Sequence, residues 1–307
     1  MFKNYTLILV LTLACAFGVR AQSSKFDQTL ETQIALLNQG FSSAALDGLM
    51  GPQTRQAIKG FQKSFGLQPT GELRPETSEK LTLNGGLYKI YTITQEDLSG
   101  LQKNPDGWVN MAEAESLPYE TILELVAEKG HSYRSLIKKL NPNINWSNVE
   151  AGTEVKIPNV TEFQTNSTAS KFKILINERV VQVFDSNGKL IAQFPCTIAA
   201  SKAKIPDGEL KVENFAENPN YTFSPENFPE SRQAQKIGKK LIIPPGVNNP
   251  VGAVWISLSK PGYGIHGTPE PEDIGQAASH GCFRLTNWDA RTLLKMTAAG
   301  MPVEVVK

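Results

Sequence analysis

The sequence predicts a multidomain protein. A small all-α N-terminal domain of three helices comes first, then a small α/β module, then a C-terminal mainly-β domain of the sandwich or barrel kind. Three observations predict it. Apolar residues recur at helical spacing after Leu30, a helix–turn–helix pattern with a closing strand follows residue 115, and alternation with a period of two takes over after Lys171. A chain of 307 residues has room for two or three domains at about 100–200 residues each. The formal net charge is only +1. That leaves no basic excess to collect phosphates, so nucleic acid is not an expected partner.

Lys3 precedes an apolar stretch from Leu7 to Phe17, and Val19-Arg20-Ala21 sets small residues three and one positions before a cut at Gln22. Residues 1–21 read as a secretory signal peptide, because the apolar run is shorter than the about 20 residues a spanning helix needs. A competing reading takes Thr12-Leu13-Ala14-Cys15 as a lipoprotein site with Cys15 acylated. The missing aliphatic residue at Thr12 and the apolar Ala16-Phe17-Gly18-Val19 argue against it. No later segment is apolar for long enough to span a bilayer. The mature chain is therefore expected beyond the inner membrane, in the periplasm or cell wall.

The first helix is expected around Leu30, Ile34, Leu37 and Phe41. A second starts at Pro52, a suitable first-turn residue, carries Ala57, Ile58, Phe61 and Phe65 on one face, and stops at Gly66. A third runs from near Pro75 to Leu83. Together they make a domain over residues 25–84. The run Leu46-Asp47-Gly48 through Gln53-Thr54-Arg55-Gln56-Ala57-Ile58, then Phe61-Gln62-Lys63 and Gly66-Leu67 to Thr70-Gly71, resembles the type 1 peptidoglycan-binding domain. Each residue has a structural explanation: a turn at Asp47-Gly48, a helix start at Pro52, aromatic core. Wall binding is what the resemblance implies.

Residues 85–118 read as a connector with a short strand at Leu87–Thr94. Ile122, Leu125 and Val126 then share one helix, and Leu136, Ile137 and Leu140 the next. Val155-Lys156-Ile157-Pro158 closes the segment as a strand. Residues 115–160 are similar to a LysM glycan-binding module, without its usual opening strand and Gly-Asp-Thr. His131, at the turn between the helices, is expected to be solvated or a cap. Thr161 to Ala169, rich in Ser, Thr and Asn, is a linker.

From 171 to 307 strands dominate. Phe172, Ile174 and Ile176 alternate, and Val181, Val183 and Leu190 surround the turn Asp185-Ser186-Asn187-Gly188, a hairpin. Further strands are expected at Ile191–Ile198, Glu209–Phe215, Lys240–Ile243, Ala253–Leu258 and Val303–Val306. One helix, Trp288 to Ala299, is capped by Thr286 or Asn287 and ended by Gly300.

Removing the signal leaves Cys196 and Cys282. Two cysteines in an oxidising compartment suggest a disulfide. The surroundings of Cys282 point elsewhere. His266-Gly267-Thr268 is followed by Ser279-His280-Gly281-Cys282-Phe283-Arg284-Leu285. A thiol with a pKa of about 8.5 needs a base or a positive neighbour to react near neutrality. Histidine supplies the base, glycines admit a substrate backbone, and backbone N–H groups around Gly281–Cys282 can meet the developing oxyanion. Zinc held by His266, His280 and Cys282 is the alternative chemistry, but the spacing matches no common zinc pattern. No metal and no cofactor is expected.

These motifs resemble the L,D-transpeptidase catalytic domain (YkuD-like), and the likeness covers residues 171–307. Leu285, Asn287, Trp288 and Asp289 continue it, and Ile205-Pro206-x-Gly208 is similar to the family's Thr-Pro-x-Gly turn. The resemblance implies a peptidoglycan L,D-transpeptidase in which Cys282 is the nucleophile and His266 the general base, oriented by the Gly267 carbonyl. It implies that Ser279, His280 and Gly281 shape the pocket, that Arg284 holds the loop or binds a substrate carboxylate, and that Tyr263 contacts substrate. Cys196 then falls to the core. The implied partners are peptidoglycan stem peptides and glycan, with water (an L,D-carboxypeptidase) or a lysine-bearing acceptor protein as other acyl acceptors. A non-catalytic wall anchor would have no use for a nucleophile beside its base.

Overall fold

Helix α1 (Lys25–Asn38) begins where the Ser24 hydroxyl accepts the Asp27 N–H, which satisfies one of the donors a helix start leaves open. Residues 24–206, 208–275 and 281–307 are those described in this structure, a computed structural model. The expected signal peptide with Cys15, and Ser279 and His280, lie outside them. α1 buries Leu30, Ile34 and Leu37. Phe41, the next residue on that period, lies past the helix end and forms a β-bridge with Gln193. α2 (Pro52–Ser64) buries Ala57, Ile58 and Phe61. α3 (Pro75–Ser78) is one turn and does not reach Leu83. The chain extends instead because Leu81 packs under Phe61 while Leu83 packs against Leu30 and Ile34, in a different cluster. Two buried glutamines tie this domain together. Gln33 bonds Asp47, Leu49, Thr54 and the Gly48 N–H, and Gln62 bonds Thr70, Thr77, Glu72 and the Gly71 N–H.

The middle region contains β1 (Tyr88–Thr92), α4 (Gln95–Ser99), α5 (Trp108–Glu113), α6 (Ile122–Lys129), α7 (Arg134–Leu140) and β2 (Glu154–Pro158). β1 and β2 are antiparallel, with Tyr88 opposite Pro158. The strand expected in the connector thus pairs with the strand expected at Val155–Pro158. α4 starts in a capping box between Thr94 and Asp97, a local signal left unread in the sequence. His131 is neither solvated nor a cap. It takes φ +48, and its ring stacks on Trp288 at 5.1 Å and 4°.

The C-terminal region is built from β3 (Ala169–Leu175), β4 (Val180–Asp185), β5 (Leu190–Pro195), β6 (Gly208–Glu217), β7 (Tyr221–Phe223), α8 (Arg232–Ile237), β8 (Leu241–Ile243), β9 (Val254–Leu258), β10 (Gly264–His266), β11 (Phe283–Arg284), α9 (Asn287–Leu294) and β12 (Pro302–Val306). Eight strands form one sheet in the order β11-β10-β9-β6-β12-β3-β4-β5. The hairpin read at Asp185–Gly188 joins β4 and β5. The sheet curls until its two ends meet, where Thr197, just past β5, exchanges both backbone hydrogen bonds with Arg284 of β11 at 2.9 and 3.0 Å. Of the two expected architectures, the partly closed barrel describes the molecule and the sandwich does not. Closure shields the backbone edges that an open sheet would expose. The face turned inward carries Phe172, Val183, Phe194, Ile256, Ile265 and Phe283, all fully buried or nearly so. α9 is shorter than its sequence span because its regular turns stop at Leu294, and Thr286 is its cap.

Between β6 and β9 the chain leaves the sheet. β7 and β8 pair with each other, and with α8 they bury Phe223, Ala234 and Ile243. That small core is completed from outside the domain, by Leu117 and by Trp108, whose ring stacks on Phe223 at 4.4 Å.

Candidate active site at the seam of the sheet

β10 and β11 are parallel neighbours, with Ile265 opposite Phe283 and His266 opposite Arg284. Side chains alternate faces along a strand, and residues opposite each other share a face. Ile265 and Phe283 point into the core. His266, Arg284 and Cys282 therefore project together from the other face. Cys282 stands two residues along, about 6.5 Å, and one strand across, about 4.8 Å, from His266, a span their side chains can bridge. Arg284 of β11 makes the closing contact with Thr197. The site sits where the sheet shuts.

His266 is 4% exposed. Its Nδ1 lies 2.6 Å from the Gly267 carbonyl, the orienting contact expected from the sequence. The Val251 carbonyl also lies within hydrogen-bonding reach of the imidazole. The ring stacks on Trp255 of β9 at 5.6 Å. Burial holds the imidazole well below its ordinary value, at about 4, with the Arg284 charge acting the same way. The ring is thus neutral at pH 7 with its proton fixed toward a carbonyl, the state a general base requires.

The Cys282 thiol is half-buried and lies 3.6 Å from the Gly262 carbonyl. Burial raises its pKa, against the pull of a Gly264 backbone contact and the Arg284 charge. Cys196 is fully buried in the main core, pushed up to about 12 by burial, and is not joined to Cys282. Arg284 is half-exposed, and its Nε is buried with no hydrogen-bond partner among the described residues. Gly281 lies against the Tyr263 ring, close enough that a methyl there would sit 3.5 Å from it. Tyr263 is half-buried under Lys260, whose Nζ is 4.5 Å from the ring centre. Ser279 and His280, expected to shape the pocket, fall outside the described residues.

Three further residues belong here: Trp255 and Tyr221, which no sequence signal marks, and Asn287, which the sequence shows only as part of the run after Cys282. Trp255 covers Gly264 so closely that a Cβ would come within 2.7 Å of the indole, so that position must be glycine. Tyr221, from the β7 insert, has its phenol pushed up to about 12 by burial, with Cys282 raising it and Arg284 lowering it, which places it in the field of the site. Asn287 is buried and bonds the Ala253 N–H at 2.9 Å and the Val247 carbonyl at 3.3 Å.

The turn of α9 that follows also contains Asp289. It is buried, accepts from the Ser42 hydroxyl at 2.8 Å, and is raised to about 7 by burial. The sign follows from proton counting. Between about pH 4 and 7 the folded chain keeps a proton here that the unfolded chain releases, so stability falls as pH rises through that window. Asp289→Asn, which cannot ionise, is expected to raise the melting midpoint more at pH 8 than at pH 5. Equal shifts at both pH values would contradict the burial of an ionising carboxyl.

A half-buried thiol and a neutral, carbonyl-oriented imidazole on one face of paired strands, with a guanidinium beside them, suit cysteine-dependent acyl transfer. Sequence comparison supplies the family. Residues 171–305 match the L,D-transpeptidase catalytic domain (YkuD), and residues 27–81 match the putative peptidoglycan binding domain. The C-terminal domain therefore belongs to the L,D-transpeptidase family, and the chain is an enzyme of that kind joined to a peptidoglycan-binding domain. The chain is 28% identical over 188 residues to the putative L,D-transpeptidase YkuD of Bacillus licheniformis, covering 61% of this chain and 94% of the relative. It is 34% identical over 189 residues to the probable L,D-transpeptidase YbiS of Escherichia coli K12, covering 60% of each. Among solved structures, an L,D-transpeptidase from Mycobacterium smegmatis is 19% identical with a TM-score of 0.36, covering 51% of this chain and 64% of that one. The assignment rests on the sequence matches. Among the described residues no helix is long and apolar enough to cross a membrane.

Proposed function

We propose that this enzyme forms peptidoglycan cross-links by acyl transfer from tetrapeptide stems through a thioester on Cys282. The observation that carries the reading is the shared face of Cys282, His266 and Arg284 on paired strands at the sheet seam. The Cys282 sulfur attacks the carbonyl carbon of the third stem residue as its proton passes to His266. The C–N bond to the terminal D-alanine breaks, and the departing amine takes that proton. An amine from a second stem then attacks the thioester, and the sulfur leaves as the thiol. The Gly267 carbonyl holds the imidazole as it becomes cationic, and Arg284 stabilises negative charge beside the sulfur. Gly281 lets the stem backbone approach, with Tyr263, Ser279 and His280 as pocket walls.

In the unliganded site the thiol is raised and the imidazole lowered, so proton transfer between them is uphill. The thiolate accordingly forms with the attack, once substrate has excluded water, and not as a standing ion pair. Water as acceptor would give L,D-carboxypeptidase products, and a protein lysine would give wall attachment of that protein.

The N-terminal domain supports placement on the wall. The middle region supports it too: β1 and β2 pair across α6 and α7, as in a LysM-like module, with α4 and α5 as additional helices between β1 and α6. The expected location is the periplasm or wall.

The test is mass analysis of tetrapeptide muropeptides after incubation with purified protein. Loss of D-alanine, a cross-linked product, and a mass adduct on Cys282 are expected, all absent in Cys282→Ala. Turnover that survives Cys282→Ala, or that stops on chelation, would remove the mechanism.

A further inference from the structure

The first turn of α9 touches both accessory regions through successive residues. Asp289 accepts from Ser42 of the N-terminal domain, and Trp288 stacks on His131 of the middle region. Asn287 makes the third contact. Glu128, at the end of α6, forms an ion pair with Arg291 at 2.8 Å, and the same carboxylate accepts from the Asn287 side chain. Glu128, Asn287 and Val247 line one small void between the middle region and the catalytic domain.

Asn287 in turn reaches the histidine. Its Oδ1 accepts the Ala253 N–H. That oxygen also lies against Gly252 and Gly267, within 2.2 and 2.3 Å of where a Cβ on either would stand. Gly252 takes φ +62 and follows Val251, whose carbonyl faces the imidazole, and Gly267 supplies the other carbonyl. The two backbone segments that frame His266 are thus packed around one amide oxygen. The opposite end of that amide is shared between the Val247 carbonyl and Glu128, so its rotamer is fixed partly from outside the domain.

A second link clamps the same loop. Leu117 N–H donates to Pro245 O at 2.9 Å, Asn248 N–H donates to Leu117 O at 3.0 Å, and the Asn248 amide donates to Pro118 O and Glu124 Oε1. Residues 244–253 are therefore held on one side by the middle region and on the other by the histidine strand. Both matched families leave this middle region out, since their matches end at residue 81 and begin at 171.

We propose that Glu128, from outside the catalytic domain, is a positioning residue for His266: it holds Asn287, and Asn287 holds the Val251–Ala253 and Gly267 backbone on either side of the imidazole. The middle region is then part of the catalytic framework and not only an anchor. A shift of about 1 Å in a base can cost on the order of 100-fold, and a residue two contacts away is expected to cost less.

In the full-length chain, Glu128→Ala is expected to lower kcat on tetrapeptide stems about 10-fold with KM within about twofold, because binding groups are untouched. Glu128→Gln, whose amide oxygen can still accept from Asn287 and Arg291, is expected to recover most of the loss. A second readout needs no substrate: the pH dependence of Cys282 alkylation by iodoacetamide, with its rise moving to lower pH in Glu128→Ala as a loosened, more basic imidazole takes the thiol proton more readily. This proposal rests on His266 acting as the base. Absent turnover in the unmutated chain would indict that reading, while the alkylation profile would still report the coupling. Ser42→Ala breaks the neighbouring docking contact without reaching His266, and is expected to change the melting midpoint alone. A Glu128→Ala chain with a lowered midpoint but unchanged kcat and alkylation profile would overturn the proposal. So would Ser42→Ala with kinetic losses as large.

Discussion

Replacing His266 by Ala is expected to reduce turnover of tetrapeptide stems by about 100- to 10,000-fold, the range a positioned general base contributes. The unmutated enzyme should also keep its activity on acidification further than an unperturbed histidine allows. The base must be neutral to act. An imidazole near the ordinary value of about 6.5 would be mostly protonated at pH 5. Burial lowers His266 to about 4, so it stays neutral at pH 5, and activity is lost only as pH falls through that lower value. The measurement is kcat/KM of the unmutated chain between pH 4 and 9. An acid limb near 6.5 would mean that His266 is solvated in the working enzyme, against its 4% exposure. The same chemistry predicts a sluggish thiol. With burial raising Cys282, alkylation by iodoacetamide without substrate should be slow at pH 7 and should climb with pH beyond the range of an ordinary cysteine.

What could be read from the sequence and what could not divide along a physical line. Helices α1 and α2 and the β4–β5 hairpin announce themselves through period, cap and turn, which are local. The Cys282 motif was legible because its residues lie close together in the chain. β10 and β11 have three and two residues, too few for a period to show, and they are strands only because β9 and Thr197 pair with them. Trp255 is placed over His266 by strand register, and Asn287 is placed against Gly267 by the packing of α9. Neither relation has a counterpart in sequence spacing. β1 looks like part of a connector in the sequence because α4 and α5 separate it from α6, and only its pairing with β2 ties it to the middle region. His131 follows the same logic: a turn histidine looks solvated in sequence until Trp288 of another domain stacks on it.

That covering contact sets the second large effect. Trp288 is 4% exposed and packs in a cluster with Leu30, Ile34 and Leu46 from the N-terminal domain and Leu136 and Val160 from the middle region. Its lower neighbours on α9, Ala290 and Leu293, face the main core instead. The helix thus turns one face to its own domain and one residue toward the other two. Trp288→Ala should cost about 3–5 kcal/mol, the usual loss for a buried tryptophan. At about 2–4 °C per kcal/mol this is a fall of roughly 6–20 °C in the melting midpoint. The more telling expectation concerns cooperativity. The two polar contacts beside the indole, Ser42 with Asp289 and Glu128 with Arg291, are one hydroxyl bond and one partly exposed ion pair, worth about 1 kcal/mol or less each when solvent reaches them; farther off, the middle region keeps the Arg134 ion pairs with Glu270 and Glu272 and the Leu117–Asn248 backbone bond. Without the indole the apolar cluster that joins the N-terminal and middle regions to α9 is lost, and the joint between the three regions loosens. Calorimetry should therefore resolve two transitions in Trp288→Ala where the unmutated chain shows one, and protease should gain access to the 161–169 linker before the catalytic domain unfolds. Trp288→Phe, which keeps a ring against His131, should retain a single transition. One transition in Trp288→Ala, shifted by less than about 2 °C, would mean the regions are coupled through their polar contacts and not through this side chain.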